Sequence, residues 1–209
     1  MFTDRTEGGR QLADTVSERG IDADMMLAIP RGGLPVGQAV ADRLGVPLDI
    51  VAARKLGAPS NPELAIGSVA SDGTVWLNDS LIENLGVDEA YVEATIERER
   101  GVAREKTERY RGGRPPLELA GKTALLVDDG IATGATTIAC IRQLQNADAE
   151  RVIVAVPVAP PETVERLREE ADDVVCVETP AYFGAVGAFY RSFEQVTDEE
   201  AMAHLQLDE

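Results

Sequence analysis

The sequence predicts an α/β domain in which a central parallel sheet carries helices on both faces. Three observations lead there. Short apolar runs without polar alternation recur at 25–29, 124–127, 151–157 and 173–178, the pattern of strands buried on both faces. Segments of helical period separate them, at 34–44, 137–146 and 161–170. Turn residues follow the runs, with Pro30 after the first and Gly130 and Gly134 after the run at 123–128. Strands alternating with helices imply parallel pairing and two covered faces.

Taken in order, residues 8–19 read as a helix. The strand 25–29 ends at Pro30, the helix 34–44 ends at Gly45, and 48–53 is the next strand. Residues 55–78 mix Gly, Pro and Asn with short β-like pieces at 65–70 and 74–77, which predicts a loop-rich insert. A long helix spans 88–111. Strand 123–128, helix 137–146, strand 151–157, helix 161–170 and strand 173–178 complete the alternation, with Thr136 and Thr137 as candidate caps of the helix at 137. A tail over 179–193 holds five of the eight Phe and Tyr residues, and a short helix begins near Asp198. No repeat, low-complexity tract or interdomain linker interrupts the chain.

At 209 residues and 44% apolar content the chain is long enough for one sizeable core. No apolar run approaches a membrane span, and no basic-then-apolar leader opens the sequence, so a cytoplasmic protein is expected. Cys140 and Cys176 lack metal-ligand spacing and read as buried thiols. His204 is the single histidine, which leaves almost no material for a catalytic triad or a histidine-ligated metal. The net charge is −17, and Lys55, Lys106 and Lys122 are the only lysines. Such a surface suits strong salt, as in halophilic proteins. It disfavours nucleic acid as a partner, since that binding needs a positive field.

The segment with the most chemistry starts where the run 124–127 stops. Asp128 and Asp129 stand side by side, followed by Gly130, Ile131, Ala132, Thr133, Gly134, Ala135 and Thr136, and then a helix. Ionised carboxylates accept hydrogen bonds from paired hydroxyls. The glycines permit close backbone approach. A helix N-terminus offers unpaired N–H groups and partial positive charge to a phosphate. The combination suits a ligand with both a sugar diol and a phosphate.

This segment resembles the phosphoribosyl pyrophosphate motif of the type I phosphoribosyltransferases. The resemblance implies a phosphoribosyltransferase-like fold with a core over 1–178, a flexible lid loop at about 55–78, and a small C-terminal hood over 179–209 in the same domain. It places the ribose hydroxyls on Asp128 and Asp129, and the 5′-phosphate on the loop from Gly130 to Thr136. It implies Mg²⁺, reached by Asp128 and Asp129 indirectly through water or substrate, and a homodimer. Members that act on 6-oxopurines resemble one another in a third acid at the position held here by Ala132. Hypoxanthine and guanine are therefore disfavoured.

Three further segments after strands are expected to converge on that loop, because ligands of such sheets bind beyond the strand C-termini. Arg31, Gly32 and Gly33 form a tight turn with one cation and resemble the family's pyrophosphate loop, where a non-proline cis peptide would fall near Arg31–Gly32. Arg54 and Lys55 stand at the base of the lid-like insert and are candidate pyrophosphate cations. Tyr182, Phe183 and Phe189, in the hood-like tail, are candidate contacts for a flat heterocycle, as against core filling. The cations of the long helix and its end, Arg98, Arg100, Arg104, Lys106, Arg109, Arg111 and Arg114, read first as a solvated face paired with neighbouring acids. A dimer contact or a positive rim for phosphates is the alternative.

The resemblance thus implies transfer of ribose 5-phosphate from phosphoribosyl pyrophosphate to a nitrogenous base, with Arg31, Lys55, Asp128 and Asp129 as the catalytic group. The rival reading is a regulator of the same fold that senses phosphoribosyl pyrophosphate or a nucleotide without turnover. A phospho-acceptor protein using Asp128 or Asp129 is less consistent, because it has no need of the Thr/Gly turn.

Overall fold

The structure, a computed structural model, describes residues 1–205. The chain runs α1 (Arg5–Glu18), β1 (Met25–Ala28), α2 (Gly33–Leu44), β2 (Leu48–Ile50), β3 (Ala53–Ala58), β4 (Asn61–Ala70), β5 (Val75–Leu77), α3 (Asp79–Leu85), α4 (Glu89–Arg111), β6 (Thr123–Val127), α5 (Ala135–Asn146), β7 (Arg151–Val158), α6 (Pro161–Arg168), β8 (Asp173–Glu178) and α7 (Asp198–Ala203). A single 3-10 turn, Val186–Phe189, lies between β8 and α7. Residues 206–209, the end of the expected hood, lie outside the described residues.

Five strands form one parallel sheet in the order β2-β1-β6-β7-β8. Alternate strand residues serve opposite faces. Leu27, Leu126 and Val154 pack with Ile138 and Leu144 of α5 and Leu167 of α6. Met26, Leu125 and Ile153 pack with Leu12 and Val16 of α1 and Leu34 and Val40 of α2. Both faces are dry, which is why these strands show no polar alternation. α1 starts at Asp4, whose side chain accepts from the Glu7 N–H. α2 ends at Gly45 in the left-handed conformation, and α4 is N-capped by Asp88.

The structure corrects the sequence reading at four places. The strand expected over 48–53 ends at Ile50, because the chain turns into a second sheet: the Ala52 carbonyl accepts from Ser71 rather than from a β1 neighbour. Residues 55–78 are not loop-rich. They form an antiparallel sheet, β3-β4-β5, whose Leu56, Ile66 and Val69 are buried with Val92 of α4. The turn residues Pro59 and Ser60 only join β3 to β4. α3 was not expected; Asn78 caps it and Gly86 ends it within seven residues, too short for a periodic pattern to stand out. Finally, α5 begins at Ala135 with Gly134 as its N-cap, at φ 76°, so neither Thr136 nor Thr137 caps it.

Among the described residues, no helix is long and apolar enough to cross a membrane.

Candidate active site

β1 leads outward to β2, while β6 leads the other way to β7, so the strand order reverses between β1 and β6. The crevice beyond the C-terminal ends of such a pair is where open α/β sheets bind ligands. The loops that follow these two strands lie against each other. The Ile29 N–H donates to the Val127 carbonyl at 2.9 Å. A methyl on Gly33 would stand 3.1 Å from Asp128 Cα, and one on Gly32 only 2.0 Å from Asp129 Oδ2. Gly32 is thus required for close approach rather than for a special backbone angle.

Asp128 and Asp129 are half-buried at the tip of β6. The Asp129 N–H donates to Asp128 Oδ1 at 2.8 Å, and Arg5 Nε donates to Asp129 Oδ2 at 2.7 Å. Burial first, and then the Asp129 charge, push the Asp128 carboxyl well above the usual range; Lys106 and Arg5 act in the opposite direction. Burial also raises Asp129, opposed by the Arg5 hydrogen bond and charge.

The loop behind the acids is pinned from the next layer. The Ile131 N–H donates to the Val158 carbonyl at 3.0 Å, and Thr163 Oγ1 of α6 donates to the Ala132 carbonyl at 2.6 Å. Ile131, Gly134 and Ala135 are buried, Thr136 is half-buried, and Ala132 and Thr133 stand exposed at the apex. Among the described residues, the N–H groups from Ala132 to Thr137 donate to no main-chain carbonyl. They form the open tip of α5, where the helix dipole is positive.

On the β1 side, the cis peptide joins Pro30 to Arg31, one bond earlier than expected. Arg31 Nη1 lies 3.7 Å from Oδ1 of Asp198, at the start of α7; Tyr110 donates to that same oxygen and Arg109 to Oδ2. Lys106 Nζ donates to the Pro30 carbonyl at 2.8 Å. Its ammonium pKa is lowered by burial and by the charges of Arg54 and Arg31, with Asp198 and Asp128 opposing. Lys106 therefore belongs to this site and not to a solvated helix face. The signal lay in the helix itself: Ala103 and Tyr110 are buried, and Lys106 falls between them on the same stripe. Arg5 was also missed, and nothing in the sequence around it marks it.

Arg54 pairs with Glu99 of α4 at 3.1 Å. Lys55 donates to the Glu63 carboxylate at 2.9 Å and to its carbonyl at 3.1 Å, so its ammonium is engaged within the β3–β4 hairpin. Of the three aromatic candidates, Tyr182 is 93% exposed. Phe183 and Phe189 stack on one another, with centroids 5.2 Å apart, and pack beside Phe2, Val158 and Tyr190. Val186, in the same segment, would touch a methyl on Gly130 at 2.6 Å, so the tail leans on the acid-bearing loop.

The fold and these loops define a parallel α/β protein with its candidate site at the switch point of the sheet. The phosphoribosyl transferase domain family matches residues 5–191, and the chain belongs to that family. A Mycobacterium tuberculosis protein, named only provisionally as a phosphoribosyl transferase and present in strains CDC 1551 and H37Rv, is 42% identical over 205 residues. The match takes in 98% of this chain but 46% of that protein, so this chain spans less than half the length of its relative. The crystal structure of TT1426 from Thermus thermophilus is similar throughout, with a TM-score of 0.83, 44% identity, and 98% and 97% of the two chains covered.

Proposed function

We propose that this chain transfers ribose 5-phosphate from phosphoribosyl pyrophosphate to a nitrogenous base and releases pyrophosphate. The observation that carries the reading is the junction at β6: two half-buried carboxylates directly before a helix tip whose N–H groups are open. Asp128 and Asp129 take the ribose hydroxyls, and the backbone and hydroxyls from Gly130 to Thr136 take the 5′-phosphate. Arg31, with the Gly32–Gly33 backbone, and Lys106 take the pyrophosphate, and Arg54 extends that cationic rim. Lys55 reaches it only after release from Glu63. The base nitrogen forms a bond to the anomeric carbon as the bond from that carbon to the pyrophosphate oxygen breaks. Negative charge grows on the leaving group, where fixed cations act most strongly. Positive charge grows on the sugar, beside the two carboxylates.

Mg²⁺ fits this donor set. Asp128 Oδ2 and Asp129 Oδ1 accept no hydrogen bond among the described residues, and both are hard oxygens suited to a hydrated cation. Among those residues no cluster of three or more His, Cys, Asp or Glu could hold a metal by itself. Asp128 and Asp129 would hold the ion through water or the substrate, where it would neutralise phosphate charge. Ala132 supplies no carboxylate for a 6-oxopurine, so another base is the acceptor, met by Tyr182, Phe183 and Phe189. A cytoplasmic homodimer is part of the same proposal.

The test is pyrophosphate release from phosphoribosyl pyrophosphate and Mg²⁺ across a panel of purine, pyrimidine and simpler nitrogen heterocycles. Release with one of them is expected. Tight binding with no release under any base would instead identify a ligand-sensing regulator.

A further inference from the structure

We propose that Arg5 is a positioning residue: it holds one oxygen of Asp129 so that the other, Oδ1, is presented to the ribose. This rests on the transferase reading, which places the sugar diol on Asp128 and Asp129.

The guanidinium is fixed on three sides. Nε donates to Asp129 Oδ2 at 2.7 Å, Nη1 donates to the Glu194 carbonyl at 2.7 Å, and its central carbon lies 3.8 Å from the centroid of the Phe193 ring. The two side chains of the ion pair are only 12% and 14% exposed, so solvent competes little for either. Asp129 is gripped at its other end as well. The Tyr190 hydroxyl donates to its carbonyl at 2.5 Å, and the Tyr190 ring stacks on the same Phe193 with centroids 5.1 Å apart. Gly32 closes the remaining side, since any side chain there would strike Oδ2. Three separate parts of the chain thus fix one carboxylate: the start of α1, the loop after β1, and the segment before α7.

The consequence is a matched pair of acceptors. Asp128 Oδ1 is taken by the Asp129 N–H, and Asp129 Oδ2 is taken by Arg5. One oxygen remains on each acid, for two hydroxyls on adjacent carbons. A carboxylate already held in place does not have to be ordered when the sugar binds. The charged and titratable groups around Asp129 are Asp128 on its own loop, Arg5 on α1, Tyr190 at its carbonyl, and Lys106 on α4, which acts on Asp128.

The experiment uses the full chain with Arg5→Gln and Arg5→Lys. Calorimetry with ribose 5-phosphate and 2-deoxyribose 5-phosphate reads the sugar preference, and ¹⁵N NMR of the Arg5 guanidinium reads its contact with Asp129. The wild type is expected to prefer the ribose form. Arg5→Gln should lose about tenfold in affinity for it, the scale of one charge-assisted hydrogen bond, and less for the deoxy form. Arg5→Lys should recover part of the preference. An unchanged preference, or tighter ribose 5-phosphate binding, overturns the proposal, the latter by making Arg5 a competitor of the sugar. If the wild type binds neither compound, it is the transferase reading that fails; the Arg5 Nε–H resonance then still decides the grip, a shifted and exchange-protected signal that Asp129→Asn abolishes supporting it and a signal like that of a free guanidinium refuting it. Should Arg5→Gln not fold, Phe193→Leu removes the ring under the guanidinium and must weaken the same preference.

Discussion

Asp128 pairs a functional assignment with a cost in stability. Its folded pKa is raised, mainly by burial, so the stability linked to its bound proton is complete below the unfolded pKa and is lost as pH rises through the folded one. Asp128→Asn is therefore expected to melt above the wild type at neutral pH, with the gap closing as pH falls below the ordinary carboxylate range; scanning calorimetry across pH checks this. The double change Asp128→Asn with Asp129→Asn should abolish phosphoribosyl pyrophosphate binding while the circular dichroism stays native. Undiminished affinity would remove the diol from these residues. Lys106 stands at the Pro30 carbonyl, whereas Lys55 is tied to Glu63. Lys106→Ala should thus cut turnover by about ten- to a hundredfold, the loss of a charged hydrogen bond, and by more than Lys55→Ala. Steady-state kinetics on both variants separates them, and a larger loss in kcat than in ligand affinity would mark a transition-state role.

Among the elements, the insert between β2 and α4 is an ordered sheet and not a loop. Its three strands share a core with α4 through Leu56, Ile66, Val69 and Val92. Ile66 is fully buried, so Ile66→Ala is expected to destabilise the protein by about 2–5 kcal/mol. Chemical denaturation measures it, and a cost near zero would show that residues 55–78 contribute no packed core. The tip of α5 makes a related point. Gly134 rather than a threonine precedes the helix, which leaves Thr133 and Thr136 free of capping duty and available to a phosphate.

At the scale of the whole molecule, the net charge of −17 repels itself in the compact state. Added salt screens that repulsion, so the melting temperature is expected to rise from low to molar sodium chloride. A flat or falling response would separate the acidic surface from any adaptation to salt. The candidate site is more balanced than this field: Arg5 and Lys106 act on the two acids, Arg31 and Arg54 act on Lys106, and these four cations offset Asp128, Asp129, Asp198 and Glu99 beside them.

Much of this was legible in the chain itself. Four of the five parallel strands follow from apolar runs that lack alternation, whereas β2 carries Asp49, and the acid pair with its Gly/Thr turn follows from adjacency along the chain. Both are local facts, since backbone propensity, turn chemistry and periodicity act within a few residues. The β3-β4-β5 sheet was half visible in its β-like pieces, but its Gly, Pro and Asn residues weighed toward a loop until the α4 partner that buries it was known. Arg5 was decided by tertiary structure alone; for Lys106 the helical period marks the inward stripe but not the partner it meets. The first meets its acid across 124 residues and the second meets its carbonyl across 76. Partnerships over such separations depend on how helices pack against a sheet, and no short-range pattern encodes them.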